Sequence, residues 1–351
     1  MELYQVICEE SVKKYGTKRS AWLPILVNQY SDRTHFLYEL LQNAEDAGAT
    51  VIRFYLRREA LEVYHNGRPF NEKDIRGVCS VADGTKNDGT SIGHFGIGFK
   101  SVYCYTDNPQ IYSGQYHFVI HDKLMPEEVP GKPELAPDIT CMILPFDHPE
   151  VTAKTAYEEI RKALVERINA ETILMLRNLE KLQIAVEGQP NTVSISKMKN
   201  RFGNLEQGNV YALNTCVIYT DAKGNEREHT ADYLYFTDDE DEPVALVYKT
   251  GGKDGKELCA VRNSKVYAFF PTAKESHQNF YIQAPFDTTP ARDNFKEGAE
   301  YGRHNIELIE NICDLICNSL VWMRDNGYLS FAGFNTVFPV YEYEKDDLLY
   351  A

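Results

Sequence analysis

Apolar residues recur at helical spacing early in the chain: Phe36, Leu37, Leu40, Leu41, Ala44 and Ala47 share one stripe, predicting a helix over 31–48. Ser31 or Asp32 can cap its start, and Gly48 is a natural stop. The pattern then switches to period two in VIRFYL (51–56) and LEVYH (61–65), close enough to pair as a hairpin. A glycine-rich region over 83–98 runs into FKSVYCY, read as the start of another helix. Strands are predicted at 115–120 and 140–146 with a proline-rich loop between them, and a helical stretch at about 150–178. Residues 1–30 read as a helical lead-in punctuated by Gly16 and Pro24.

From about 190 strands dominate: VYALNTCVIYT, YLYFT, VALVYK, KVYAFFP and FYIQAPF. One amphipathic helix follows at about 303–325, with Ile306, Ile309, Ile316 and Leu320 on its apolar side. No internal repeat of fixed period is present. The pattern predicts an α/β first domain over 1–190 and an α+β second domain over 191–351.

Composition narrows the class. Hydrophobic residues make up 43% and charged residues 25% of 351, the balance of a globular rather than a disordered chain. No run approaches the ~18 apolar residues of a membrane helix, and the acidic, mixed start does not resemble a signal peptide. The net charge of −15 repels nucleic acid, and no basic run offsets it, so nucleic-acid partners are not expected. Eight scattered cysteines form no CxxC pair, which fits a reducing, cytoplasmic setting; Cys313 and Cys317 are expected to pack in the core from one helix face.

Within the first predicted helix, Glu39, Asn43 and Asp46 stand at i, i+4 and i+7, one stripe opposite the apolar face. That stripe is either a solvated polar face or a wall suited to a magnesium–phosphate group, since Mg²⁺ takes few protein oxygens and leaves positions for water and phosphate. A carboxylate one turn away can orient or deprotonate an attacking water. Next, HNGRPF (65–70) makes a tight turn at Gly67 after a strand, where backbone can approach a flat ligand. SIGHFGIGFKS then carries Gly93, Gly96 and Gly98 before a helix start, a run whose successive N–H groups can cradle phosphate, with Lys100 adding positive charge.

ELLQNAEDAGAT, HNGRPF and SIGHFGIGFKSVY, in that order, resemble the successive ATP-site motifs of the GHKL ATPases. Within that superfamily the likeness is to the heat-shock-ninety chaperones and the sacsin-like ATPases. VADGTK (81–86), with Thr85 and Lys86, looks like the chaperone's lid start, ITCMIL (139–144) like its last ATP-site strand, and QNAEDAGAT is sacsin-like.

The resemblance implies a GHKL fold, with a mixed, mostly antiparallel sheet, followed by a middle-type α+β domain. It implies Glu39 as general base, Asn43 as magnesium ligand and Asp46 as a supporting acid. Gly67 matches the turn beneath adenine, and Thr140 an adenine-side hydroxyl. Gly93, Phe95, Gly96, Gly98 and Phe99 belong to the phosphate loop. FYIQAPFDTTPARDNF (280–295) resembles the chaperone segment that sends an arginine to the γ-phosphate, with Arg292 at the matching position. The turn departs from the chaperones in one place: His65 stands where they carry an aspartate that accepts from the adenine amino group, so the base is read by His65 or, if His65 points away, by Asn66, water or another acid.

The implied activity is Mg-dependent ATP binding and hydrolysis that drives lid and domain movement, chaperone-like or within a larger defence ATPase. The alternative is a nucleotide-sensing module with negligible turnover. ATP and Mg²⁺ are the implied ligands, nucleotide-dependent self-association and an unidentified protein client the implied partners; no membrane is expected.

Overall fold

The computed structural model describes residues 2–16, 33–80, 98–238, 244–288, 295 and 299–341. It divides into two compact units, Met1–Ile195 with Ile218–Arg227, and Ser196–Val217 with Glu228–Ala351.

The first unit opens with α1 (Glu2–Tyr15), then a 3₁₀ turn at Arg33–His35 that leads directly into α2 (Phe36–Asp46). Phe36, Leu37, Leu40, Leu41 and Ala44 are buried, as the apolar stripe requires. His35 occupies the cap position without a side-chain capping bond; Ser31 and Asp32 lie outside the described residues. Gly48, at φ +70°, ends the helix with its N–H on the Glu45 carbonyl.

Next come β1 (Val51–Leu56) and β2 (Ala60–His65), then α3 (Glu72–Val78), whose start is closed by a reciprocal box between Asn71 and Asp74. β1 and β2 form the expected antiparallel hairpin, Leu56 opposite Leu61. A 3₁₀ helix at Gly98–Cys104 precedes β3 (Gln110–Ser113), β4 (Tyr116–His121), β5 (Met125–Glu128) and β6 (Thr140–Pro145).

FKSVYCY thus forms a tighter helix than the sequence suggested. Phe99 through Cys104 are buried on every side, so packing rather than an amphipathic face shapes the segment. The stretch expected as one helix at 150–178 is two, α4 (Ala153–Glu166) and α5 (Ala170–Leu174), because Asn169 caps the second through the Glu171 and Thr172 N–H groups.

The unit closes on β7 (Lys181–Val186), and its sheet runs β7-β1-β2-β6-β3-β4-β5. β1 and β7 are parallel; the remaining pairs are antiparallel. In β2 the period-two pattern buries Leu61, Val63 and His65 together.

β8 (Thr192–Asn204), β9 (Asn209–Thr220) and β10 (Glu226–Thr237) follow. The second unit adds β11 (Ala245–Gly251), β12 (Glu257–Cys259), β13 (Lys265–Ala268), β14 (Phe270–Glu275) and β15 (Tyr281–Gln283), then α6 (Ala299–Asp325) and α7 (Phe331–Val337). Its strand order is β14-β13-β15-β11-β10-β9, with β12 on β11 and a parallel pair at β13 and β15.

Tyr248 stacks on Phe280 at 4.6 Å and takes the edge of Phe236 at 5.7 Å, a core shared with Ile309, Ile312, Leu315 and Met323 of α6. The buried stripe of α6 therefore leaves Ile306 exposed, and it leaves Cys313 and Cys317 exposed too, against the expectation of core packing. Cys313 falls one residue past buried Ile312, and Cys317 two residues from buried Leu315 and Ser319. The whole is an α/β structure with mixed sheets, and no helix among the described residues is long and apolar enough to cross a membrane.

Candidate functional site

Three elements of the first unit meet where the sequence motifs are: the polar side of α2, the turn after β2, and the 3₁₀ helix that begins at Gly98. A small recess of about 10 Å³, room for about one water, opens there. Its polar wall is Asn43, His65, Arg68 and Asp74; its apolar wall is Ala47, Phe70, Val78, Phe99 and Met142.

The turn is held down rather than free. Arg68 donates its backbone N–H to the Ala47 carbonyl at 2.7 Å, docking the turn on the end of α2. A Cβ at position 67 would lie 2.9 Å from both Ala47 Cβ and the Ala47 carbonyl oxygen, so glycine is required for this approach. Asn66 places its carboxamide oxygen under the N–H groups of Thr50 and Val51, at 3.0 and 2.8 Å, and donates to Thr50 Oγ1 at 2.8 Å. Its side chain is spent on the start of β1, which corrects the expectation of Asn66 beside a base.

His65 is the inward residue at the end of β2, 3% exposed, and burial pushes its pKa down to about 4. Its Nδ1 accepts the Gly67 N–H at 3.2 Å. Across the antiparallel register stands Thr140, fully buried, with its hydroxyl 2.5 Å from Ser113 Oγ. Ser113 Oγ in turn accepts the Phe70 N–H at 2.9 Å, so β3 and β6 fix the wall of the recess that Phe70 supplies.

Arg68 and Asp74 face each other in two parallel bonds of 2.6 and 3.1 Å, and the same carboxylate accepts the Asn71 N–H at 2.7 Å.

On α2, Asn43 faces the recess, and among the described residues its carboxamide has no hydrogen-bond partner. One turn earlier, the Glu39 carboxylate sits against Gly98: a Cβ there would fall on Glu39 Oε2 and within 2.9 Å of its Cδ. His35 Nε2 lies 3.3 Å from Glu39 Oε1, one helical turn back, both side chains being 13% exposed. Asp46 is half-buried at the helix end.

Its neighbour Glu45 carries none of the expected chemistry but is 1% exposed. Its carboxylate accepts the N–H groups of Arg177, Asn178 and Leu179 at 2.6, 2.8 and 2.8 Å. Glu45 thereby ties α2 to the segment entering β7.

Phe99 is 2% exposed and lines the recess. Lys100 does not furnish a phosphate cradle with charge. It is 1% exposed, and its ammonium donates to the carbonyls of Val78 and Lys123 at 2.6 and 2.7 Å. Burial pushes its pKa down to about 8. Thr85, Lys86, Gly93, Phe95, Gly96 and Arg292 lie outside the described residues.

Sequence reasoning passed over Arg68, Phe70, Asp74, Val78, Met142, Ser113 and Glu45. The Asn71-to-Asp74 spacing was a legible helix-start signal. Ser113 and Met142 follow only from strand pairing, which no local pattern encodes.

Residues 20–135 match the Sacsin domain family. The NO VEIN protein of Arabidopsis thaliana is 39% identical over 95 residues, which is 25% of this chain and 4% of that protein. Human sacsin is 37% identical over 124 residues, 30% of this chain and 3% of sacsin. This chain thus spans only a few per cent of the length of the curated relatives it matches. Among solved structures, the N-terminal domain of a DNA repair protein aligns over 82% of this chain and 95% of that one. At a TM-score of 0.42 and 11% identity, that likeness carries no argument. α2, the His65 turn and the Gly98 helix fall within the residues that match the Sacsin domain family.

Proposed function

We propose that the recess binds Mg-ATP and that the chain hydrolyses it to ADP and phosphate, the cycle driving movement of a sacsin-like, chaperone-related machine. The observation that carries this reading is the meeting of Glu39 with Gly98 beside a recess faced by an uncommitted Asn43. A carboxylate packed on the end of a glycine-rich segment is where an attacking water needs a base, next to where backbone N–H groups hold a terminal phosphate. Asn43 fits the metal for a second reason: its carboxamide oxygen is a hard neutral donor that nothing else among the described residues occupies. Bound Mg²⁺ would neutralise charge on the phosphates.

The protein's own part is to position. Phe70, Val78, Phe99 and Met142 line the apolar side of the recess, where a flat base is proposed to sit once the recess opens further. Gly67 lets the turn close on α2, and Glu39 takes the proton of the attacking water. Arg292, from the 280–295 segment, is the group proposed to neutralise the γ-phosphate in the transition state.

Glu39→Ala tests the reading. ATP affinity by calorimetry should stay within about threefold, while phosphate release falls by about 10²–10⁴. If the variant keeps a third of the wild-type rate, Glu39 is not the base. A wild-type chain that binds ATP yet releases no ADP belongs instead to the sensing class.

A further inference from the structure

Which nitrogen His65 offers to the recess is set by its neighbour. The Gly67 N–H donates to Nδ1, so Nδ1 carries the lone pair. A neutral imidazole then holds its single proton on Nε2. Burial keeps the ring neutral, its pKa pushed down to about 4. Among the described residues Nε2 has no partner, and His65 is part of the recess wall.

The acceptors nearby are already engaged. The Asp74 carboxylate takes two Arg68 N–H groups and the Asn71 N–H. The Asn66 carboxamide oxygen takes Thr50 and Val51. Asn43 is assigned to the metal. Among the described residues the wall at His65 therefore presents a donor, and the carboxylate in that wall, Asp74, already accepts three N–H groups.

With the phosphates at Glu39 and Gly98, as proposed, the base edge that would meet His65 is the one remote from the sugar. That far edge of adenine carries two groups: the N1 acceptor and the 6-amino donor. We infer that His65 is a specificity-determining residue that reads the base as a donor, Nε2–H to purine N1, leaving the 6-amino group unread. The inference rests on the proposal that the recess takes ATP, and it inverts the reading in which this position accepts from the amino group.

The test is equilibrium binding of four triphosphates to the full chain with Mg²⁺ at neutral pH: ATP, purine riboside triphosphate, 1-deaza-ATP and 7-deaza-ATP. Purine riboside triphosphate lacks the amino group and keeps N1, so it should bind within about threefold of ATP. 1-Deaza-ATP keeps the amino group and leaves the buried donor unpaired, so it should bind about tenfold to a hundredfold more weakly. 7-Deaza-ATP should match ATP. A tenfold loss with purine riboside triphosphate, or 1-deaza-ATP binding like ATP, overturns the assignment while the ATP site stands. Weakening by 7-deaza-ATP alone overturns it as well. Failure of ATP itself to bind removes the nucleotide reading and this one with it. A long-range ¹H–¹⁵N spectrum gives a readout without ligand: the proton should sit on Nε2, and a proton on Nδ1 overturns the inference.

Discussion

Gly98→Ala isolates the contact between the glycine segment and Glu39. Gly98 is not among the glycines at positive φ, so an alanine fits the backbone and should stabilise by about 0.4–1 kcal/mol through the unfolded chain. Opposing this, the new methyl would overlap Glu39 Oε2 and lie 2.9 Å from Cδ. The carboxylate is the far end of a flexible side chain, so it swings off its rotamer rather than moving the helix, at about 0.5–1.5 kcal/mol. The two effects nearly cancel, and stability alone would show little. A double-mutant cycle separates them. With Glu39→Ala in place the clash is gone, and Gly98→Ala should then stabilise by its full amount, giving a coupling of about 1 kcal/mol by chemical denaturation. Turnover should fall far more than stability, about 10²-fold, because the base is displaced by about an ångström. ATP affinity should hold within severalfold. Equal stability changes in both backgrounds would refute the contact, and unchanged phosphate release would refute its bearing on the chemistry.

Further tests follow from other partners. Glu45→Ala strips the acceptor from three backbone N–H groups and should cost about 3 kcal/mol in denaturation, at about 1 kcal/mol for each lost bond; a loss below 1 kcal/mol would show that water replaces it. Asn43→Ala should weaken ATP more with Mg²⁺ than without, by calorimetry in both conditions, and equal losses would assign it a structural part instead. His65 holds its folded pKa near 4 against 6.5 unfolded, so between those values the unfolded chain binds more protons and stability falls as pH drops. The full difference is about 3 kcal/mol, absent above pH 7 and complete below pH 4. The stability difference between wild type and His65→Asn should follow that curve, and a difference independent of pH would show the ring is not buried neutral.

Much of the fold was legible because it is local. The α2 stripe, the β1–β2 hairpin and most strands of the second unit follow from spacing alone. The failures share a cause in tertiary packing. Period gave α6 an apolar side including Ile306 and a cysteine pair, yet the sheet of the second unit covers a stripe that passes beside both. Lys100 looked like a phosphate contact because a lysine after a glycine loop is exposed by default. Two carbonyls from distant segments, Val78 and Lys123, draw it inside instead. In the site, His65 was legible as the inward residue of an alternating strand, but the nitrogen it offers was not. That depends on the Gly67 N–H, whose direction is set by the docking of the turn on Ala47.

Glu39 and Glu45 show where sequence reasoning reaches its limit. Both are carboxylates on α2, and nothing in their side chains distinguishes a base from an anchor. Their surroundings do. Glu45 is 1% exposed and accepts three fixed backbone donors, so it is an anchor whose removal would loosen the helix from β7. Among the described residues Glu39 meets no backbone donor; it touches an imidazole on one side and a glycine with no side chain on the other. The Glu39 side chain is 13% exposed, so water can reach a carboxylate that no fixed backbone donor saturates. That access is the physical reason to propose Glu39 rather than Glu45 as the base, and it is independent of any resemblance in sequence.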